Sequence, residues 1–320
     1  MKKLLLSGVV VMSLLMAFNS AKAEETKLNP KVDVSVDYFN MDGDTTYTIT
    51  GSDFLYAGDR GKSELEFPID TNFVKLGIHT NLMERIDLSL DYSWSVDDDA
   101  GTMKDTDWSS RIGSYPYVIS KSDSEIDAKE WNFDAKYMLK QIDLQDNNFL
   151  DTLKIYVGGG YKHQEFDYDI KNVNKTSAYF TSFNGSTQGK VLDYEVEYDV
   201  WYISCYLNLI NSKKNIDFSI GFEYGPDVDV EDKDDHILRS KLSTASGDGT
   251  YYKFAAGVSW AFWQDFTASV YYNHIDFDTD GTQNQYFYDG AYKGLTYSNI
   301  DWESDSSQDI FGVKVTYFFN

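Results

Sequence analysis

The chain has a single cysteine, Cys205, in 320 residues. It can form no intrachain disulfide and no cysteine-built metal site. Proline is nearly as scarce, with 4 residues, and a chain so poor in proline can sustain long strands. Beyond the N-terminus no stretch approaches 18 consecutive apolar residues. That excludes a bundle of membrane-spanning helices. Positive charge is also short: Lys and Arg number 28 against 52 Asp and Glu, a formal net charge of −24. Such a balance repels nucleic acid and anionic membrane surfaces, so neither is expected as a partner. Aromatic residues, by contrast, make up 16% of the chain, with 25 Tyr, 20 Phe and 7 Trp.

The first residues are read as a targeting segment. A basic start (MKK) precedes the apolar LLLSGVVVMSLLMAF and the small-x-small site Ala21-Lys22-Ala23. This predicts a secretory signal peptide over residues 1–23 and one mature domain over 24–320. Losing Lys2, Lys3 and Lys22 would take the net charge from −24 to −27.

The rest of the chain alternates with period two. In IDLSLDYSWSV, Ile86, Leu88, Leu90, Tyr92, Trp94 and Val96 alternate with Asp87, Ser89, Asp91, Ser93 and Ser95. WNFDAKYML (131–139) and IDFSIGFEY (216–224) behave alike. About ten such strands can be marked, and no segment reads as a helix. Short connections (81–85, 141–152, 211–215, 263–265) alternate with long polar ones (40–62, 97–129, 169–190, 226–250, 278–308). Short turns on one rim and long loops on the other predict an all-β fold, a ten-stranded antiparallel transmembrane β-barrel with long extracellular loops. A secreted β-sandwich would share the alternation. It would not need strands of ten or more residues with Tyr and Trp near their ends, which suit a closed barrel in lipid.

Chemistry is sought in the long connections. In EDKDDHILR (231–239), Asp232, Asp234 and His236 are spaced by two and share a face on an extended strand. In KDTDW (104–108), Asp105 and Asp107 have the same spacing. Two close carboxylates cannot both ionise easily, so the pair shares a proton. A histidine beside a carboxylate is oriented and kept basic. Water between the two pairs can be deprotonated and aimed at a carbonyl, with no serine or cysteine nucleophile. Each motif alone is weak in a chain this rich in Asp. His79, His163 and His274 lie in strands and read as wall residues. No complete calcium-loop spacing and no H-E-x-x-H occurs, so no metal and no cofactor is expected.

At these residues the sequence resembles the omptin family of outer-membrane proteases, through D-T-D-W at Asp105–Trp108 and D-K-D-D-H at Asp232–His236. Diffuse similarity runs from about Gly61 to the C-terminus, including NLMERIDLSL and VGGGYKH. The resemblance implies an aspartic-type endopeptidase of the cell outer membrane, acting as a monomer with its active site at the extracellular mouth. It implies His236 as general base toward water, oriented by Asp234. Asp105 and Asp107 would form the facing pair that holds the same water. Asp232, and with a gap in the alignment Asp53, would line a pocket for a basic side chain, making basic peptides and proteins the substrates. An acidic mouth would gather them from solution.

One departure concerns lipid. Omptins bind lipopolysaccharide as an activating lipid through basic residues on the outer wall. The matching region here has Tyr161, His163 and Glu165, and the next strand offers Glu195, Glu197 and Asp199. These acids repel phosphate, so the lipid binds elsewhere, differs, or is not needed. The competing reading is a non-catalytic barrel (an adhesin, a structural protein or a narrow porin) with cation-binding acidic loops. Retention of all four catalytic-type residues, Asp105, Asp107, Asp234 and His236, at matching places favours the enzyme.

Overall fold

The structure is a computed structural model that describes residues 31–52, 60–113, 115–144 and 150–319. The predicted signal peptide (1–23) and Asp53 lie outside the described residues. The strands, in chain order, are β1 (Lys31–Ser52), β2 (Arg60–Leu82), β3 (Ile86–Ser95), β4 (Asp99–Ser109), β5 (Val118–Asp143) and β6 (Thr152–Thr176). They continue with β7 (Gly185–Ser186), β8 (Lys190–Asn211), β9 (Ile216–His236), β10 (Lys241–Trp263), β11 (Phe266–Phe287) and β12 (Thr296–Phe319). β3 and β4 both pair with β2 on one side and β5 on the other, so they are two halves of one wall strand. β7 is a short addition to β6. The wall is thus a ring of ten antiparallel strands, closed where Val32 of β1 meets Phe319 of β12. Closure leaves no unpaired edge, the condition for β-structure in lipid.

The strands are long because the segments read from sequence as long polar loops are strands too. Residues 40–52 continue β1, 118–129 begin β5, and 226–236 and 241–250 form one hairpin. The change of character is a change of phase. Near the short turns, outward positions are apolar and exposed: Val36 and Tyr38 on β1, Ile203 and Leu207 on β8, Ile220 and Phe222 on β9, Val313 and Val315 on β12. Inward positions there carry ion pairs such as Asp37–Lys75 at 2.7 Å and Glu223–Lys253 at 2.8 Å. Tyr92 and Phe222, on the apolar side of the alternation read from sequence, are exposed, as is Val313.

Further along the same strands the pattern reverses; β2 stays in register with β1 through the change, while the β8–β9 and β9–β10 ladders shift there, at Trp201/Ile203 and Gly249/Tyr251. On β8, outward Trp201 and Ile203 give way to Glu195, Glu197 and Asp199, while Tyr194, Val196, Tyr198 and Val200 are buried inside. On β2, outward Leu76 and Ile78 give way to Glu64 and Glu66, with Leu65, Phe67 and Ile69 inside. The apolar-out band is about ten residues tall, the length a tilted strand needs to cross a bilayer. The apolar-in half is a barrel standing in water. The thirteen residues 40–52 of β1 rise roughly 30 Å above the band at ~3.3 Å per residue and the usual tilt. Its core is an aromatic stack, with Phe67 and Tyr194 ring centroids 4.0 Å apart and Tyr168 and Tyr47 packed beside them. That stack forms a floor, and the candidate site sits around it.

Candidate active site

Asp105 and Asp107 lie on β4, opposite Leu65 and Ser63 of β2. The inward phase of β4 turns both carboxylates to the interior and sends Trp108 outward, where Lys62 lies over its ring. Asp105 accepts hydrogen bonds from Ser63 Oγ at 3.4 Å and Ser120 Oγ at 3.3 Å. Asp107 is buried. Burial, and then the charge of Asp105 beside it, push its carboxyl up to about 6, against the pull of Arg239 and Lys241.

Asp234 and His236 end β9. The chain then makes a single tight turn, Ile237–Arg239, passes through Ser240 in the left-handed region (φ 49°) and returns as β10. His236 is therefore at the tip of its hairpin. Asp234 is fully buried. Its Oδ2 accepts from His236 Nε2 at 3.0 Å and from the Tyr47 hydroxyl of β1. A carboxylate can only accept, so the imidazole proton sits on Nε2. Nδ1, to which no described residue bonds, is left as the free acceptor. Burial lowers the His236 pKa below its ordinary value. Asp234 works against that, and the cations Lys241 and Arg239 add to it. Burial would raise Asp234, but His236, Lys241 and the Tyr47 hydrogen bond outweigh it and hold that carboxyl below the usual range.

One cleft of about 880 Å³ is lined by Asp105 and Asp107 from one wall and by His236 from another, with Tyr47 between them on the floor. Two motifs 129 residues apart (Asp107 to His236) thus open into the same space. Asp232 lies two residues deeper on β9. It is almost fully buried, and its Oδ2 accepts from Trp302 Nε1 at 3.0 Å. Its Oδ1 has no hydrogen-bond partner among the described residues, and it does not line this cleft. Burial first, and the nearby Asp234 second, push it up to about 8. Tyr47, Trp302, Arg239, Lys241 and Lys175 were not foreseen from sequence. Only the alternation of Tyr47 with polar neighbours in DTTYTITG hinted at an inward position.

Among the described residues the lining of the cleft is not dominated by acids. The cleft is lined by three acids (Asp105, Asp107, Asp301) and three bases (Lys175, Arg239, Lys241). The excess carboxylates stand on the outer wall. Glu165, Glu197 and Glu231 oppose one another across β6, β8 and β9, and Asp199, Asp229, Asp248 and Asp280 across β8 to β11.

A closed barrel with an apolar-out band and a polar cleft at the far end defines an outer-membrane β-barrel with a candidate hydrolytic site. Comparison with known proteins narrows this. The family model described as the omptin family matches residues 50–285, and the chain belongs to that family. Its fold is similar to the crystal structure of the outer membrane protease OmpT from Escherichia coli. The TM-score is 0.74 at 16% identity, covering 92% of this chain and 99% of that one. The translocator domain of the autotransporter NalP from Neisseria meningitidis matches at a TM-score of 0.37 and 9% identity, covering 98% and 96%. The outer membrane protein OprG from Pseudomonas aeruginosa matches at 0.37 and 9%, covering 92% and 97%. No curated protein sequence matches. Family and fold together support an outer-membrane protease acting on peptides or proteins.

Proposed function

We propose that the chain is a monomeric outer-membrane endopeptidase whose cleft opens outward from the cell. Water held between His236 and the Asp105–Asp107 pair attacks the peptide carbonyl. The Nδ1 of His236 takes the water proton while Asp234 and Tyr47 fix the ring. Asp107, with its carboxyl near 6, can hold a proton and hand it to the developing oxyanion or leaving amine. This puts the enzyme in the aspartic-type class. The observation that carries the reading is the shared cleft: Asp105, Asp107 and His236, from separate strands, line one space, with Asp234 buried behind the ring and Nδ1 unbonded among the described residues.

A basic residue beside the scissile bond is the proposed specificity. Its support is the partnerless Oδ1 of Asp232, the oxygen that a guanidinium or ammonium would take. Asp53 as a second pocket acid rests on its position in the sequence. No metal or cofactor takes part in the proposed step. The outer wall offers Glu165, Glu195 and Glu197 where lipid phosphate would approach, so lipopolysaccharide is not proposed as an activator. The test is cleavage of quenched peptides centred on Arg-Arg, Lys-Arg and Gln-Gln by the refolded protein in detergent, with and without lipopolysaccharide. Cleavage by the parent protein and none by His236→Ala is expected, with the basic peptides preferred and the lipid without effect. Equal activity in His236→Ala would refute the mechanism.

A further inference from the structure

Three cations line the cleft of a chain that is otherwise strongly acidic. Lys175 is on β6, in register with Ser120 of β5, which is in turn in register with Asp105 of β4. Lys241 begins β10, directly opposite His236. Arg239 stands in the turn between them and is open to solvent inside the cleft. None of the three makes an ion pair or a side-chain hydrogen bond among the described residues, although each lies within electrostatic reach of Asp105 and Asp107. Five lysines elsewhere in the wall, Lys75, Lys136, Lys162, Lys190 and Lys253, each hold a carboxylate within 3 Å. Asp105 and Asp107 offset part of the repulsion among the three cations from a distance, and an anion in direct contact would offset more. Burial lowers the pKa of Lys175, and the nearby Arg239 lowers it further. Lys241 is lowered likewise, by burial and by Arg239 despite the pull of Asp234.

We infer that Lys175, Arg239 and Lys241 form an anion subsite of the cleft that takes the carboxylate of an Asp or Glu side chain next to the scissile peptide bond. Lys241 and Arg239 approach from the dyad wall, and Lys175 from the wall of the Asp pair. A carboxylate held among them lies along the cleft beside the reacting carbonyl. Arg239 supplies the fork that fits a carboxylate with two hydrogen bonds, and the lysines supply point charges. The substrate class becomes peptides with an acidic residue flanking the cut. This rests on the proposed peptidase reading and adds to the basic residue assigned to Asp232, which lies outside this cleft.

The experiment measures kcat/KM for three peptides that differ at one flanking position, Glu, Gln or Lys, and for the Glu peptide with a free or an amidated C-terminus. A preference of about tenfold or more for Glu over Gln is expected, the worth of one charge-assisted contact. It should shrink as salt is raised. Charge reversal in Lys175→Glu and neutralisation in Arg239→Gln should each bring the Glu/Gln ratio toward one or below, a ratio that a general loss of activity would not move. No preference in the parent protein, or a preference unchanged in both variants, overturns the subsite. So does a preference that appears only with a free C-terminus, since the cations would then hold a chain end. If no peptide is cut, the peptidase reading fails. Calorimetric binding of Glu and Gln peptides with a reduced scissile bond then decides the subsite separately: tighter binding of Glu sustains it, and equal binding ends it.

Discussion

Asp234→Asn is the perturbation that separates the proposed machinery from a merely buried acid. The side chain keeps its shape, so the barrel should fold. What is lost is the charge-assisted bond to His236 Nε2, 3.0 Å long and fully buried. A hydrogen bond to a charged group contributes about 1.5–3 kcal/mol. Complete burial puts this one toward the upper end, at roughly 2–3 kcal/mol, so kcat/KM should fall about 30- to 150-fold. The pH profile adds a sign. Only neutral His236 can accept a proton, so activity is full at neutral pH and is lost as pH falls through its pKa. Burial has already set that pKa below the ordinary histidine value, with Asp234 partly opposing. Removing the Asp234 charge removes the opposition. The acid limb of Asp234→Asn should therefore move to lower pH even as the rate drops. Lys241→Met removes a cation that lowers His236 and should move the limb to higher pH. The assay is kcat/KM against pH on one peptide for the three proteins. An acid limb that moves up in Asp234→Asn, or stays put in both variants, would refute the assignment of His236 as the base.

The other predictions can be checked on the same preparation. Asp105→Ala should lower cleavage by about 10²–10⁴-fold while the barrel still shows heat-modifiable migration on a gel. Tyr47→Phe removes one of two donors to buried Asp234 and should cost about tenfold in kcat/KM, with KM little changed. Ile220→Arg places a charge on the lipid-facing band and should lower the unfolding free energy in lipid by about 2–4 kcal/mol. Glu195→Arg, on the watery outer wall, should change it by less than about 1 kcal/mol.

The sequence was informative where one physical rule acted alone. Within the lipid band, apolar residues point out and polar ones in, so strands such as 86–95 and 216–224 could be read directly. The short turns at 212–215 and 264–265 stand where turn residues cluster. Asp105–Asp107 and Asp234–His236 were legible because period two alone brings each pair to one face. Beyond the band the reading failed for a physical reason. NMDGDTTYTITG carries turn-type residues, Gly43 and three acids or amides, that read as loop. Yet it pairs residue for residue with both β2 and β12. The ladder is supplied by neighbours far away in sequence, and no local propensity announces it. The same holds for Tyr47, Lys175 and Trp302. Each comes from a segment read as loop, and each reaches the site through closure of the ring.

Phase reversal also explains why net charge misled about the cleft. On the outer wall, carboxylates such as Glu165, Glu197 and Glu231 oppose one another in register. Opposed like charges destabilise a sheet. In water the repulsion is about 1 kcal/mol at 4 Å, and salt screens it within about 8–10 Å. A wall of strands continuous with the band below can tolerate that. Inside the barrel the same charges would interact several-fold more strongly, so opposed like charges cost more there. Among the described residues the cleft lining is accordingly balanced, three acids against three bases, and the carboxylates that oppose one another in register stand on the outer wall. The bulk charge of −24 therefore describes solubility and the approach of other molecules. The choice of what binds beside His236 falls to Lys175, Arg239 and Lys241.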